Sequence, residues 1–212
     1  TLHNGDNLSF LRSLESDMID LIYIDPPYFS QRNYGDFDDR WKSIQHYLDF
    51  MVERLKEMHR VLKPTGSIYV HLDWHAVHYV KVEMDKIFGY DNFQNEIIWC
   101  YGGGGASKNR FARKHDTILF YSKSKKHTFN MQFAPYKKHT PFHFNGTPFR
   151  SEGKILEDHW QIEIVGATSK VKTYATQKPE ELVKRIVLAS SNENDIVADF
   201  FCGSGSFLKV AH

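Results

Sequence analysis

The stretch MIDLIYIDPPY, Met18 to Tyr28, decides how the rest of the chain is read. Its first seven residues are mostly apolar, β-branched or aromatic, the composition of a strand buried inside a sheet. The strand must stop at Asp25-Pro26-Pro27, because proline offers no N–H to a sheet ladder and fixes its own φ. Each proline also turns its predecessor away from the helical region. A carboxylate and an aromatic ring, Asp25 and Tyr28, are therefore held on a stiffened turn just beyond a strand end.

Working outward, the chain alternates between two periodicities. Asn7 to Leu14 reads as a short helix. Ser43 to Leu62 carries Ile44, Tyr47, Leu48, Met51, Leu55, Met58 and Leu62 at steps of three or four, which predicts a helix. Lys63-Pro64-Thr65-Gly66 is expected to stop it before a strand over Ser67 to Leu72. A further helix is expected over His75 to Phe88, closed by Gly89. Glu96 to Tyr101 and Thr117 to Tyr121 read as strands flanking a loop, Gly102 to Asp116. Residues 127–173 lose regular periodicity and read as an inserted, mostly irregular segment. Pro179 introduces a helix over Glu180 to Ser190, and Asp195 to Phe201 reads as a strand running into Cys202-Gly203-Ser204-Gly205-Ser206 and a new helix. Strands alternating with helices imply an α/β fold with a mainly parallel twisted sheet and helices on both faces.

In such sheets, ligands bind beyond the carboxyl ends of the strands. Two strand ends here have unusual sequences. At the first, the Asp25 carboxylate and the Pro26 carbonyl can present two acceptors to one amino group, with Tyr28 stacked on the ring that carries it. The lone pair of an exocyclic amino nitrogen is delocalised into its ring. Two acceptors on its hydrogens favour a more nucleophilic nitrogen and stabilise positive charge developing there. At the second, the glycines of Phe201-Cys202-Gly203-Ser204-Gly205 let the backbone turn sharply and approach a ligand, and Asp199 can meet an ammonium group.

Bulk properties narrow the classes. The 212 residues suffice for one substantial core and an insertion, with a net charge of +1. No apolar run approaches the roughly 20 residues of a bilayer span. No signal peptide is visible. The two cysteines, Cys100 and Cys202, lie outside any metal-ligand spacing, which suits a reducing compartment; a cytoplasmic location is expected. His71, His75 and His78 with Asp73 invite a metal reading that nothing else supports, and no metal is expected. Charge is unevenly spread. Between Lys108 and Lys126 seven Lys or Arg residues face one acid, Asp116. Lys108, Arg110, Arg113 and Lys114 sit in the loop opened by Gly102-Gly103-Gly104-Gly105, which suits phosphate contact, and Phe111 among them suits stacking on a base. Lys137, Lys138, His139 and His143 extend this character into the irregular segment.

Taken together and in this order, these residues resemble the permuted amino-methyltransferase family of DNA methyltransferases, in which the catalytic motif precedes the cofactor motif. Asp25-Pro26-Pro27-Tyr28 matches the catalytic motif and Phe201-Cys202-Gly203-Ser204-Gly205 the FxGxG cofactor motif. Thr176-Gln177-Lys178-Pro179-Glu180 matches the TQKP element, and Asn4-Gly5-Asp6 the GD element whose acid contacts the cofactor's adenine. Leu62 to Asp73 resembles the next strand segment. The resemblance covers nearly the whole chain. It implies a Rossmann-like fold, S-adenosylmethionine as cofactor and double-stranded DNA as partner, with a homodimer left open. It further implies catalytic roles for Asp25, Pro26, Pro27 and Tyr28, and cofactor contacts from Asp6, Lys178, Pro179, Asp199, Phe201, Gly203, Ser204 and Gly205. Residues 1–126 and 174–212 would form the catalytic and cofactor halves of one domain, and 127–173 the target-recognition insertion.

Asp at the first motif position goes more often with adenine-N6 than with cytosine-N4 in this family. Two departures are visible. Gly203-Ser204-Gly205-Ser206-Phe207 stands where the family has GSGTT. The strand that follows the cofactor helix, with an acid for the ribose hydroxyls, is missing, so a fragment is expected. Cytosine-N4 methylation and a catalytically silent DNA-binding or regulatory domain are the alternatives. A cytosine-C5 enzyme is disfavoured because neither cysteine follows a proline, and a protein glutamine enzyme because its motif begins with Asn and follows the cofactor motif.

Overall fold

The computed structural model describes residues 1–35, 37–103, 107–136, 151–165 and 177–212. The decisive stretch forms β1 (Ile19–Ile24), which pairs in parallel with β2 (Leu62–Leu72) on one side and β8 (Val197–Ala198) on the other. Beyond β2 lie β4 (His115–Ser122), β3 (Phe93–Cys100) and β7 (His159–Gln161), giving the order β7-β3-β4-β2-β1-β8. β4 is antiparallel to both β2 and β3, and β7 is parallel to β3. Within this sheet β4 alone opposes the common direction. The sheet is thus mixed but mainly parallel.

Alternation along the strands sends side chains to two separate cores. On one face Ile22, Ile24, Ile68, Val70, Leu119 and Tyr121 pack beneath α1 (Asn7–Ser13), α2 (Ile44–Val61) and α3 (Val77–Phe88). On the other, Leu21, Tyr23, Tyr69, Ile118 and Phe120 pack beneath α4 (Glu180–Ser190) and α5 (Ser206–Ala211). The α2 helix starts where Ser43 Oγ accepts from the His46 N–H, and its buried stripe runs Tyr47, Leu48, Met51, Leu55, Met58, Val61. Gly89, at φ 89°, ends α3.

Three elements differ from the sequence expectation. The Lys63-Pro64-Thr65-Gly66 stop is no separate loop, because β2 begins at Leu62 directly after α2. The β1–β2 register slips between Ile19↔Leu62 and Leu21↔Ser67, so these residues bulge from the ladder. The Asp195–Phe201 strand shrinks to Val197–Ala198, since the Asp199 carboxylate takes the Phe201 N–H at 2.9 Å and turns the chain. Within 127–173, the described residues form β5 (Phe133–Ala134) paired with β6 (Lys154–Ile155), while β7 joins the main sheet with Trp160 buried.

Gly66 is required by close approach. A Cβ there would stand 2.8 Å from Leu62 Cγ and 2.9 Å from the Asp20 carbonyl oxygen. Gly66→Ala is expected to destabilise the fold by about 1–3 kcal/mol, the usual cost of overpacking, read as a lower midpoint in urea unfolding.

Candidate active site

The shared strand direction gathers acids on one rim of the sheet. Asp25 follows β1, Asp73 follows β2 and Asp199 follows β8. Because β4 runs the other way, its beginning lies at the same rim, and Asp116 joins the group, paired with Trp99. Residues 25 and 199, far apart in sequence, thereby flank a single cleft. Asp25, Lys178, Asp199, Phe201, Cys202 and Ser204 all line one small cavity beside the glycine turn.

Both oxygens of Asp25 are engaged. The Tyr28 hydroxyl donates to Oδ1, and the Lys178 ammonium lies 2.5 Å from Oδ2. Tyr28 therefore uses its hydroxyl on the acid, while its ring lies 6.0 Å from that of His71. Burial and the neighbouring Asp25 charge push the Tyr28 phenol well above its ordinary range, so it remains a donor. A cavity of about 260 Å3 opens beside this group, lined by Asp25, Pro26, Pro27, Tyr28, Lys178 and Phe201. Tyr34 and Phe37, stacked with centroids 4.9 Å apart, form part of its wall.

The turn depends on a residue that the sequence reading missed. The buried Asp39 carboxylate accepts from the N–H groups of Tyr28, Phe29 and Ser30 at 2.7–3.1 Å and from Trp41 Nε1 at 2.9 Å. It thereby holds Phe29 in left-handed backbone, at φ 63°, a conformation that costs a non-glycine residue roughly 1–3 kcal/mol. Tyr47 fixes the Pro27 carbonyl from α2 at 2.8 Å. An Asp among several in an irregular stretch gives no periodic signal, so only the fold reveals it.

A second buried network supports the rim. His71 Nδ1 lies 3.0 Å from the Tyr23 hydroxyl, and its Nε2 3.2 Å from Asp116, which also accepts from Tyr101 at 3.0 Å. With the ring proton on Nε2, both contacts are satisfied. Burial alone would raise the Asp116 carboxyl, but its contacts with His71, Lys178 and Tyr101 bring it below its ordinary value. His75 is occupied by Asp73, at 2.8 Å. Among the described residues no group of three or more His, Cys, Asp or Glu could hold a metal ion, and no helix is long and apolar enough to cross a membrane.

At the glycine turn, Gly203 has φ 47° and Gly205 φ 74°, left-handed values that favour glycine. Gly205 N–H closes the turn on the Cys202 carbonyl at 2.7 Å, and open space lies where a Gly205 Cβ would stand. Ser204 Oγ lies 3.0 Å from Ser206 Oγ. Pro179 precedes α4, and its carbonyl accepts from Leu182 at 3.1 Å. Asp6 caps α1 by accepting from Ser9, and it also pairs with the buried Arg54 at 3.0 Å. Arg54 in turn holds Asn7, whose amide reaches the Phe200 carbonyl at 2.8 Å, tying α1 to the chain after β8.

The basic loop lies nearby. Arg113 stacks on Trp74, and Lys114 accepts the Tyr101 N–H through its carbonyl. Lys108 and Arg110 are exposed, and Phe111 projects almost wholly into solvent. Gly104, Gly105, Lys137, Lys138, His139, His143 and Thr176 lie outside the described residues.

Two consequences are measurable. Asp39→Ala leaves several buried donors unmatched and is expected to cost roughly 2–4 kcal/mol, seen as a lower unfolding midpoint, with Asp39→Asn losing less. Burial, then the nearby Asp25 charge, push the Asp199 carboxyl up to about 7 from 3.8, against the pull of Lys178. A raised acid favours the folded state fully below its ordinary value and loses that share as pH climbs through the folded one. The Asp199 share of stability is therefore expected to fall between about pH 4 and 7, and Asp199→Asn to remove that part of the pH dependence in thermal melts.

The likeness to known proteins agrees with this geometry. The profile of the DNA methylase family matches residues 19–212. The type II methyltransferase M.HpaI of Haemophilus parainfluenzae is 37% identical over 92% of this chain, which spans 61% of that relative's length. The DNA adenine methyltransferase YhdJ of Escherichia coli (strain K12) is 31% identical over 100% of this chain and 74% of its own. Among solved structures, the cytosine-N4-specific PvuII DNA methyltransferase superposes with a TM-score of 0.70 at 19% identity, covering 99% of this chain and 76% of that one. With the proline turn and the glycine turn facing one cleft, and with the match running through both, this chain belongs to the N6/N4 DNA methylase family.

Proposed function

We propose that this chain is the core of an S-adenosylmethionine-dependent DNA methyltransferase that modifies the exocyclic N6 of a flipped-out adenine. The observation that carries the reading is the approach of Asp25 to the glycine turn across one small cavity. S-adenosylmethionine supplies a methyl group already activated on a sulfonium sulfur. The residues fit such a group: the left-handed turn at Gly203 and Gly205 leaves backbone open to a ligand, and the enclosed Asp199 carboxyl suits an ammonium, which would restore its ionised form. Phe201, Ser204 and Lys178 complete that wall, with Pro179 setting the start of α4 and Asp6 held by Arg54.

The base enters the cavity beside Asp25, since its amino group cannot be reached inside a duplex. Both Asp25 oxygens already hold donors from Lys178 and Tyr28, so the amino group must replace or share one of them. Asp25 and the Pro26 carbonyl then orient the amino hydrogens. Tyr28, Tyr34 and Phe37 offer aromatic surface to the ring. With the cofactor bound, its sulfonium methyl would be the group offered to the amino nitrogen's lone pair, and Asp25 and the Pro26 carbonyl would steady the positive charge developing on that nitrogen. The nitrogen then releases its surplus proton to water. The protein contributes position and charge stabilisation. Lys108, Arg110, Arg113 and Lys114 supply phosphate contacts, Phe111 an exposed aromatic surface, and residues 127–173 the recognition segment. Asp at the first motif position supports adenine over cytosine-N4.

Asp25→Ala is expected to lower methyl transfer to DNA by at least a hundredfold while cofactor affinity, followed by calorimetry, stays within a few fold. Near-normal turnover would overturn the assignment. Nuclease digestion and mass analysis of the modified nucleoside separate N6-methyladenine from N4-methylcytosine.

A further inference from the structure

A third cavity, of about 460 Å3, opens on the same rim. It lies over the ends of β2 and β3 and the beginning of β4, and it shares Tyr34 with the cavity beside Asp25. The order β4-β2-β1-β8 puts it on the opposite side of the base cavity from the glycine turn. Its lining combines the chemistry of a nucleotide's partners. Trp74 lines it and is 44% exposed. Arg32 and Arg113 both line it and are both exposed, and neither forms an ion pair with a carboxylate among the described residues. The Arg113 guanidinium lies 3.6 Å from the Trp74 ring centroid. A guanidinium fork matches phosphate oxygens, and an indole from which the guanidinium has moved can stack on any base.

The acids in this cavity do not oppose a phosphate freely. Asp73 is paired with His75 at 2.8 Å, and burial raises its carboxyl. Asp116 is held between His71 and Tyr101. Two cations without acid partners among the described residues thus line the cavity, while each acid has its own partner.

Resting on the methyl-transfer reading above, we propose that this cavity is the subsite for the nucleotide adjoining the target base in the same strand. Its base stacks on Trp74 and its phosphodiester is held between Arg32 and Arg113. An extruded base stays joined to its neighbour through the backbone, so a cavity sharing a wall with the base cavity lies within that neighbour's reach. The Trp74 ring also packs against His75, with centroids 3.7 Å apart, so Arg113 must leave the indole for a base to stack there. It gives up one stacked partner for a phosphate as the neighbouring base takes its place.

The test is a double-mutant cycle between protein and DNA. Values of kcat/KM are measured for the native protein, Trp74→Ala and Trp74→Phe on duplexes whose target is intact or flanked on either side by an abasic site. An abasic site on one flank is expected to cost the native protein roughly 5- to 100-fold. Trp74→Ala should lose as much on intact DNA and nothing further on the abasic duplex, whereas Trp74→Phe should keep most of the activity. Additive losses, or indifference to an abasic site on both flanks, overturn the subsite. A protein that binds DNA but methylates none of it would instead defeat the methyl-transfer reading. Photo-crosslinking to DNA containing 5-iodouracil then tests the subsite alone. Adducts should map to Trp74, and their absence there would overturn the proposal.

Discussion

Parallel pairing of β1 with β8 is the contact on which the site depends. It joins Leu21 to Val197 and Ile22 to Ala198 in register, and so brings Asp25 and Asp199 to one rim, with Asp199 level with Tyr23 and Asp25 two residues further along. Parallel neighbours cannot be connected by a tight turn; the crossovers pass over the sheet as helices and leave the carboxyl rim free for loops. The two hydrophobic faces, one under α1 to α3 and the other under α4 and α5, clamp this register because a slip of one residue would exchange the cores. Chemistry at the rim therefore inherits its precision from apolar packing several ångströms below it.

Charge at the rim follows the same logic. Four carboxylates converge where strands end, an arrangement that would repel itself if all were ionised and unpartnered. The fold deals with each differently. Asp25 has Lys178 and Tyr28, Asp116 has His71 and Tyr101, and Asp73 has His75. Asp199 has mainly backbone, and burial raises it to about 7. The acid with the weakest compensation is the one beside the glycine turn, where a bound ammonium would supply the missing charge. Lys178 lines both the base cavity and the cavity at that turn, so one cation balances the two halves of the cleft.

Much of this was legible in the residues. The β1 strand and its abrupt end follow from β-branched composition and two prolines, and the helices follow from their three-to-four spacing. Gly203 and Gly205 announced a backbone that other residues disfavour, and both adopt positive φ. Boundaries were less legible. Residues 63–66 look like a loop because they hold Pro and Gly, yet pairing with β1 draws them into a bulged strand. Residues 195–201 look like a full strand, yet a carboxylate–amide contact ends β8 after two residues.

What the sequence determined by itself was local: where strands and helices form, which turns are stiff and which residue types carry acid, ring and glycine. Only the tertiary structure decided which of these meet. Asp39 under the proline turn, Lys178 on Asp25, His71 between Tyr23 and Asp116, and Trp74 beneath Arg113 are contacts across strands and loops. Apart from the local reach of Asp39 to Tyr28, each depends on strand order and register. Those are set by the burial of two apolar faces at once, a property of the whole chain that no short segment contains.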